Sequence, residues 1–267
     1  MNILKKLFGG QGRQELPAED LFESVHGLTD VGMERDNNED YFLVNTAKNL
    51  FVVADGMGGH NAGEVASLNA TEAVNDHFTP EILSEIRGSR IKINDELNDC
   101  LYAANQKILD MAQKNTDYQG MGCTLVVALV ERGALHTGHV GDARAYLCKE
   151  NGLHLLTTDH SKVMELVKAG QMTLEEARQS PLKNELSQAI GSPLPIIPDY
   201  NFCELKNGDK VLLCSDGLWD MLSDEEICYM VKQPQPARSI CEELVKKAND
   251  AGGHDNITVV LIEYRET

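Results

Sequence analysis

The stretch Phe51–Ala66, FVVADGMGGHNAGEVA, constrains the chain more than any other. Phe51 to Ala54 form an uninterrupted apolar run, which predicts a short buried strand. The run stops on Asp55, and Gly56, Gly58 and Gly59 follow. A carboxylate at the mouth of a buried strand is poorly solvated unless something cationic meets it. Glycines allow a sharp turn and a close approach of backbone to an ion or phosphate. Ala62, Val65, Ala66, Ala70, Ala73 and Val74 then recur at helical spacing. The unit is strand, glycine turn and helix, with one carboxylate at the junction. The same residues also fit an ordinary strand-to-helix turn capped by aspartate, so the rest of the chain has to decide.

Two further junctions resemble the first. Val211–Cys214 is apolar and runs into Ser215-Asp216-Gly217, with a helix expected after Ser223. Gly252-Gly253-His254-Asp255-Asn256 leads into Ile257–Ile262, a final buried strand. Carboxylates gathered at buried strand ends repel one another, and cations relieve this. All the candidate donors are oxygens, so the ions expected are hard, Mg²⁺ or Mn²⁺ rather than Zn²⁺ or Cu²⁺. A carboxylate bridging two such ions makes a site that activates water and clamps a phosphoryl group. The loop Thr29–Asp40 carries Arg35, Glu39 and Asp40 between strands expected at Glu23–Leu28 and Tyr41–Val44. It fits a solvated hairpin, or an arginine for an oxyanion beside carboxylates for cations. The opposing possibility is three unrelated aspartate caps.

The rest of the pattern is mixed. Helices are expected at Asn61–Phe78, closed by Thr79-Pro80, and at Ile91–Lys114, whose Leu97, Leu101, Ala104 and Ile108 share a core-facing stripe. From Gly122 the chain turns β-rich, with strands at Thr124–Val130, Ala134–Val140 and, past a break at Gly141-Asp142, Ala143–Cys148. A further strand is expected at Leu153–Thr157 after the turn Asn151-Gly152, which suggests a meander in a sandwich or barrel. Residues 159–192 depart from this, with short helices at Val163–Ala169 and Leu174–Gln179, and fit either a flap or a surface excursion. Residues 1–22 read as an N-terminal appendage. Met1–Phe8, with Lys5 and Lys6 among apolar residues, fits a frayed terminus or a weak membrane or partner contact.

Composition narrows the partners. The formal net charge is −18, which disfavours a nucleic-acid backbone and permits a site that concentrates divalent cations. No apolar run approaches the roughly 20 residues that span a bilayer, so no membrane insertion is expected. The 7 cysteines are scattered, with none in CxxC spacing, and fit reduced, packed thiols in a cytoplasm.

Six motifs occur in order: Arg35-Asp36-Asn37-Asn38-Glu39-Asp40, Asp55-Gly56-Met57-Gly58-Gly59-His60, Gly122-Cys123-Thr124, His139-Val140-Gly141-Asp142-Ala143-Arg144, Ser215-Asp216-Gly217-Leu218-Trp219-Asp220 and Gly253-His254-Asp255-Asn256. Together they resemble the metal-dependent PP2C (PPM) serine/threonine protein phosphatases in their compact bacterial form. The likeness runs from about Glu23 to Tyr264, so it implies one phosphatase domain over 23–265, with 159–192 as its flap. It implies an α+β fold, a four-layer α/β/β/α sandwich of two antiparallel sheets with helices on both faces. Asp55 would bridge two Mg²⁺ or Mn²⁺ ions, with the Gly56 carbonyl completing one and Asp216 and Asp255 ligating the other. Asp40 and Glu39 would act through water, and Asp142 with Asp216 matches a third, weaker position. Arg35 would grip the substrate phosphate while a metal-bridging hydroxide attacks phosphorus directly.

The expected substrates are phosphoserine and phosphothreonine in proteins, the expected partners a bacterial Ser/Thr kinase and its targets, and the expected state a monomer. One departure stands out. Animal-type members carry a histidine directly after the first Asp-Gly, proposed as general acid; here the residue is Met57, and the role does not transfer to His60. The general acid is left unassigned. Two other functions are weighed: a non-catalytic scaffold that binds phosphoproteins, against which every metal-binding aspartate is present, and another two-metal phosphoesterase such as a nuclease or nucleotidase.

Overall fold

The computed structural model describes residues 12–15, 21–59 and 62–265; Met1–Phe8, His60 and Asn61 lie outside them. Elements are numbered in chain order. One sheet holds β1 (Gly12–Glu15), β3 (Tyr41–Asn45), β4 (Leu50–Ala54), β7 (Leu125–Glu131), β8 (Ala134–Val140) and β11 (Asp199–Glu204), in that spatial order. Its pairings are antiparallel except β1 with β3, so Gly12–Glu15, inside the stretch set apart above as an appendage, runs parallel beside Phe42–Asn45. The second sheet is antiparallel: β10 (Gly152–Leu155), β9 (Arg144–Lys149), β12 (Lys210–Cys214), β13 (Ile257–Tyr264) and β2 (Phe22–Asp30). A two-residue ladder joins β5 (Gly56–Met57) to β6 (Gly122–Cys123).

Strand alternation builds the layers. In β4, Leu50, Val52 and Ala54 face helices α1 (Ala62–His77) and α3 (Arg90–Lys114), while Phe51 and Val53 face the other sheet. In β9, Ala145 and Leu147 point into the inter-sheet core, and Tyr146 and Cys148 point outward toward α7 (Asp224–Val231) and α8 (Ala237–Asp250). The expected four-layer sandwich is therefore present, and strands buried on both faces explain the unbroken apolar runs. No helix among the described residues is long and apolar enough to cross a membrane.

Local differences from the sequence expectations have identifiable causes. Thr79-Pro80 does more than end α1. Pro80 is the first residue of α2 (Pro80–Glu85), where its missing N–H is no loss, and Thr79 Oγ1 accepts from Ile82 N at 3.3 Å. Gly141 is no pause inside one sheet: β8 ends at Val140 in the first sheet and β9 begins at Arg144 in the second. Its φ of +101° and the side chain of Thr124, 2.6 Å from where a Cβ would sit, reserve this crossover for glycine. A helix turn also starts earlier than expected after β12, as α6 (Asp216–Trp219) begins on the aspartate itself. Residues 159–192 contain α4 (Lys162–Lys168) and α5 (Leu174–Gln179), tied back by the bridges Ser161–Leu186 and Cys123–Ile190.

Candidate metal centre

The acidic residues converge where the two sheets meet at one end. Asp55 follows β4, and its main chain is clamped by Thr124: Asp55 N donates to Thr124 Oγ1 (3.2 Å) and Thr124 N to Asp55 O (2.8 Å). Gly56 N donates to Glu39 O at 3.1 Å. A Cβ on Gly56 would lie 2.2 Å from Gly63 O and 2.4 Å from Glu39 O, so only glycine lets the first turn of α1 and the Glu39 loop close on this strand end. Gly217 is equally constrained, with Asn256 O at 2.1 Å from its would-be Cβ, which draws α6 onto the Asp255 loop.

The loop of residues 31–40 is held by Asn256. Its Nδ2 donates to Val31 O and Asn37 O, both at 2.9 Å, and its Oδ1 accepts from Glu39 N at 2.7 Å. Asp40 is buried beneath this loop; its Oδ2 accepts from Ser215 Oγ at 2.7 Å, and its Oδ1 has no partner among the described residues. Asp216 Oδ1 is buried and equally without a partner among the described residues. Asp255 Oδ2 accepts from Arg35 Nη2 at 2.7 Å and its Oδ1 from Asn256 N at 2.8 Å.

The electrostatics are one-sided. Burial pushes the Asp216 carboxyl up to about 7, and Asp255 and Asp220 add to this, while a hydrogen bond with Asp55 opposes it. Burial also pushes Asp40 up to about 8, with Asp216 and Asp255 adding repulsion against hydrogen bonds from Thr258 and Ser215. Asp55 is raised well above the usual range by burial and then by Asp40, Asp216, Asp142 and Asp255. Asp142 is raised by burial and by Asp216 and Asp159. Glu39, at the rim, is raised by burial and by Asp255 and Glu64, against the pull of Arg35. Every acidic residue singled out in the sequence thus lies in one mutually repelling group, with Arg35 at its exposed edge. The group offers hard oxygen donors and two orphaned buried oxygens, a donor set that fits hard divalent cations.

Other contacts were not foreseen. Arg144, after the Asp142 crossover, donates from Nε and Nη2 to Asp159 Oδ1 (2.9 Å) and Oδ2 (2.7 Å) and stacks on Trp219 at 3.7 Å. Trp219 Nε1 donates in turn to Asp142 O at 3.2 Å. Arg144, Asp159, Trp219 and Asp220 help line a cavity of about 400 Å³ between residues 155–183 and 219–224. Asp159 belongs to none of the motifs, so no local signal marked this pairing.

A second cluster, His139, His160 and Asp199, brings its donor atoms within 4.8 Å of one another. His139 Nε2 donates to Thr158 O (3.0 Å), His160 Nδ1 accepts from Gly141 N (3.3 Å), and His160 Nε2 faces Asp199 Oδ2 at 3.3 Å. With Nδ1 accepting, Nε2 carries the hydrogen of the neutral ring and faces Asp199, while the His139 and His160 rings stack with centroids 4.8 Å apart. The trio fastens the start of the 159–192 segment to the Gly141 crossover.

Comparison with known proteins places these features. The family described as Protein phosphatase 2C matches residues 33–261. The chain is 40% identical over 243 residues to Protein phosphatase PhpP of Streptococcus pneumoniae, covering 90% of this chain and 96% of that one. It resembles the crystal structure of the Mycobacterium tuberculosis serine/threonine phosphatase PstP/Ppp with a TM-score of 0.82 at 34% identity, covering 91% and 98% of the two chains. The catalytic domain of PstP solved in complex with two manganese ions gives a TM-score of 0.78 at 33% identity, over 91% and 98%.

Proposed function

The chain belongs to the protein phosphatase 2C family and is a protein serine/threonine phosphatase, and from that premise we propose that Asp55, Asp216 and Asp255, with the Gly56 carbonyl, hold two hard divalent cations, Mg²⁺ or Mn²⁺. Asp142 and Asp216 serve a third. The observation that carries this is the gathering of Asp40, Asp55, Asp142, Asp216 and Asp255, each repelled by another of the group, with Asp40 Oδ1 and Asp216 Oδ1 buried and unpartnered. The two-manganese complex of the related PstP catalytic domain is in keeping with it.

When bound, such cations supply Lewis-acid activation of water and neutralise phosphoryl charge. The remaining work falls to the chain. Asp55, held by Thr124 on one side and flanked by glycines on the other, sits at the centre of the acids. Glu39 at the rim and Asp40 buried beneath it orient water, and Asn256 fixes the loop that carries them. Arg35 presents a planar guanidinium at the exposed rim, suited to phosphate oxygens. Met57 has no proton to give, so the position after Asp55-Gly56 does not supply the general acid.

The substrates are phosphorylated proteins, and the reading extends to a Ser/Thr kinase and its targets as the opposed pair. Residues 23–265 form the phosphatase domain and 159–192 its flap, supported by the cavity under α4 and α5 beside Trp219. Release of phosphate from a phosphothreonine peptide with Mn²⁺, its loss with EDTA and its return on adding metal back test the proposal. Activity unaffected by EDTA would refute it.

A further inference from the structure

The cavity beside Trp219 has an apolar floor. Val163 of α4, Ala177 of α5 and Leu222 are buried in it, and Met164 and Met221 line it with them. Leu155, the last residue of β10, and Leu174, the first of α5, also line it and are 42% and 60% exposed. Two large exposed apolar side chains on one apolar cleft are not scattered surface residues. The charges around the cleft cancel. Arg144 pairs with Asp159 and Lys183 with Asp220, each at 2.7 Å, and Arg178 faces Asp224 at 3.7 Å. Three cations meet three carboxylates, so this cleft is formally neutral in a chain of net charge −18. Each of these cations is already engaged by a carboxylate, which favours an apolar guest over an anion.

The cleft is continuous with the cation site. Trp219 lines it, and Trp219 Nε1 donates to Asp142 O at 3.2 Å. A substrate chain advances about 3.3 Å per residue, so a side chain a few residues from the phosphorylated one reaches Trp219. Resting on the phosphatase reading above, we propose that the cleft takes an apolar side chain of the phosphoprotein, close in sequence to the phosphorylated residue, and that Leu155 and Leu174 set this preference. Its volume of about 400 Å³ has room for a leucine or phenylalanine side chain. A guest that touches both leucines bridges the 159–192 segment and the second sheet.

The test uses the full chain with Mn²⁺ and phosphothreonine peptides that carry leucine, phenylalanine or serine in turn at each flanking position. At one position or a run of neighbouring positions, the leucine and phenylalanine peptides should show kcat/KM about ten-fold above the serine peptide, chiefly through KM. Leu174→Ser should bring the three peptides together there, and Leu174→Met should keep the preference. The exposure of Leu174 spares the fold from either change. Equal or inverted kcat/KM values across the peptides, or a preference that Leu174→Ser and Leu155→Ser both leave intact, would overturn the proposal, while Mn²⁺-dependent turnover in the same assays leaves the phosphatase reading standing. No Mn²⁺-dependent release of phosphate from any peptide would sink that reading and the proposal with it.

Discussion

Arg35 donates from Nη2 to Asp255 Oδ2 at 2.7 Å, so the guanidinium expected to meet phosphate is paired with a carboxylate expected to meet a cation. The pair is open to solvent, with side chains 52% and 33% exposed, and an exposed pair of this kind stabilises by roughly 1 kcal/mol or less. A cation that takes Asp255 therefore releases Arg35 at little cost. Arg35→Ala should leave thermal stability nearly unchanged and weaken competitive inhibition by inorganic phosphate roughly ten-fold, the loss of one charge-assisted bidentate contact. Inhibition constants for the two proteins check this; equal values would remove Arg35 from the site.

Asp55 is surrounded by four other carboxylates. Asp55→Asn keeps the side chain's size and removes a charge that repels its neighbours. Turnover of a phosphothreonine peptide should fall by roughly a thousand-fold or more, while the melting temperature in EDTA should hold or rise. Asp216→Ala should likewise abolish turnover with the fold retained. A melting temperature that collapses in EDTA would mean that Asp55 is a structural residue first.

The raised carboxyls set a pH dependence with a definite sign. An unfolded aspartate titrates near 3.8, whereas Asp216 is pushed up to about 7 and Asp40 to about 8 in the folded chain. Between those values the native state binds more protons than the unfolded state, so stability falls as pH rises. It is fully present below about 3.8 as far as these groups are concerned and is lost through about 8. Melts in EDTA from pH 5 to pH 8.5 should therefore trend downward, and Mn²⁺ should raise the melting temperature most at the alkaline end. A flat Mn²⁺ effect across that range would contradict the assignment of these carboxyls to the cation site.

How much of this was legible depended on local periodicity. Asp55 and Asp216 stood out because the runs before them, Phe51–Ala54 and Val211–Cys214, are buried on both faces and so lack polar interruption. The two sheets were visible as strands, but their membership was not: nothing in Gly141-Asp142 distinguishes a pause in one strand from a crossover between sheets. Pro80 was ambiguous because proline both ends helices and opens them, and only the Thr79 hydroxyl selects the second role. Gly12–Glu15 has no apolar alternation to announce β1. Asn256 lay inside a recognised motif without a role, since its task is to tie main-chain atoms of residues 31, 37 and 39, which no spacing encodes.

Asp142 lies at the crossover, buried, with its carbonyl accepting from Trp219 and its carboxyl raised by burial and by Asp216. Asp142→Ala should leave tight Mn²⁺ binding in place and shift the Mn²⁺ dependence of turnover to concentrations about ten-fold higher. A Mn²⁺ titration of turnover set beside calorimetric binding separates the two effects. An unchanged titration curve would remove Asp142 from the cation site.

The Arg144–Asp159 pair bears on residues 159–192 rather than on the chemistry. The side chains are 12% and 8% exposed, the bond is bidentate, and Trp219 covers the guanidinium. Arg144→Ala leaves a buried carboxylate without its partner, which costs about 3–5 kcal/mol. Asp159 opens the 159–192 segment, so the loss should be felt there before the sheets give way, with α4 and α5 becoming susceptible to limited proteolysis at temperatures where the core still resists. Arg144→Lys restores the charge but neither the planar fork nor the stacking on Trp219, and should recover less than half of the lost stability. Chemical denaturation of both variants gives the magnitudes, and proteolysis mapped by mass spectrometry gives the order. A global transition with no earlier cleavage between residues 159 and 192 would show that the pair stabilises the sandwich rather than the segment above it.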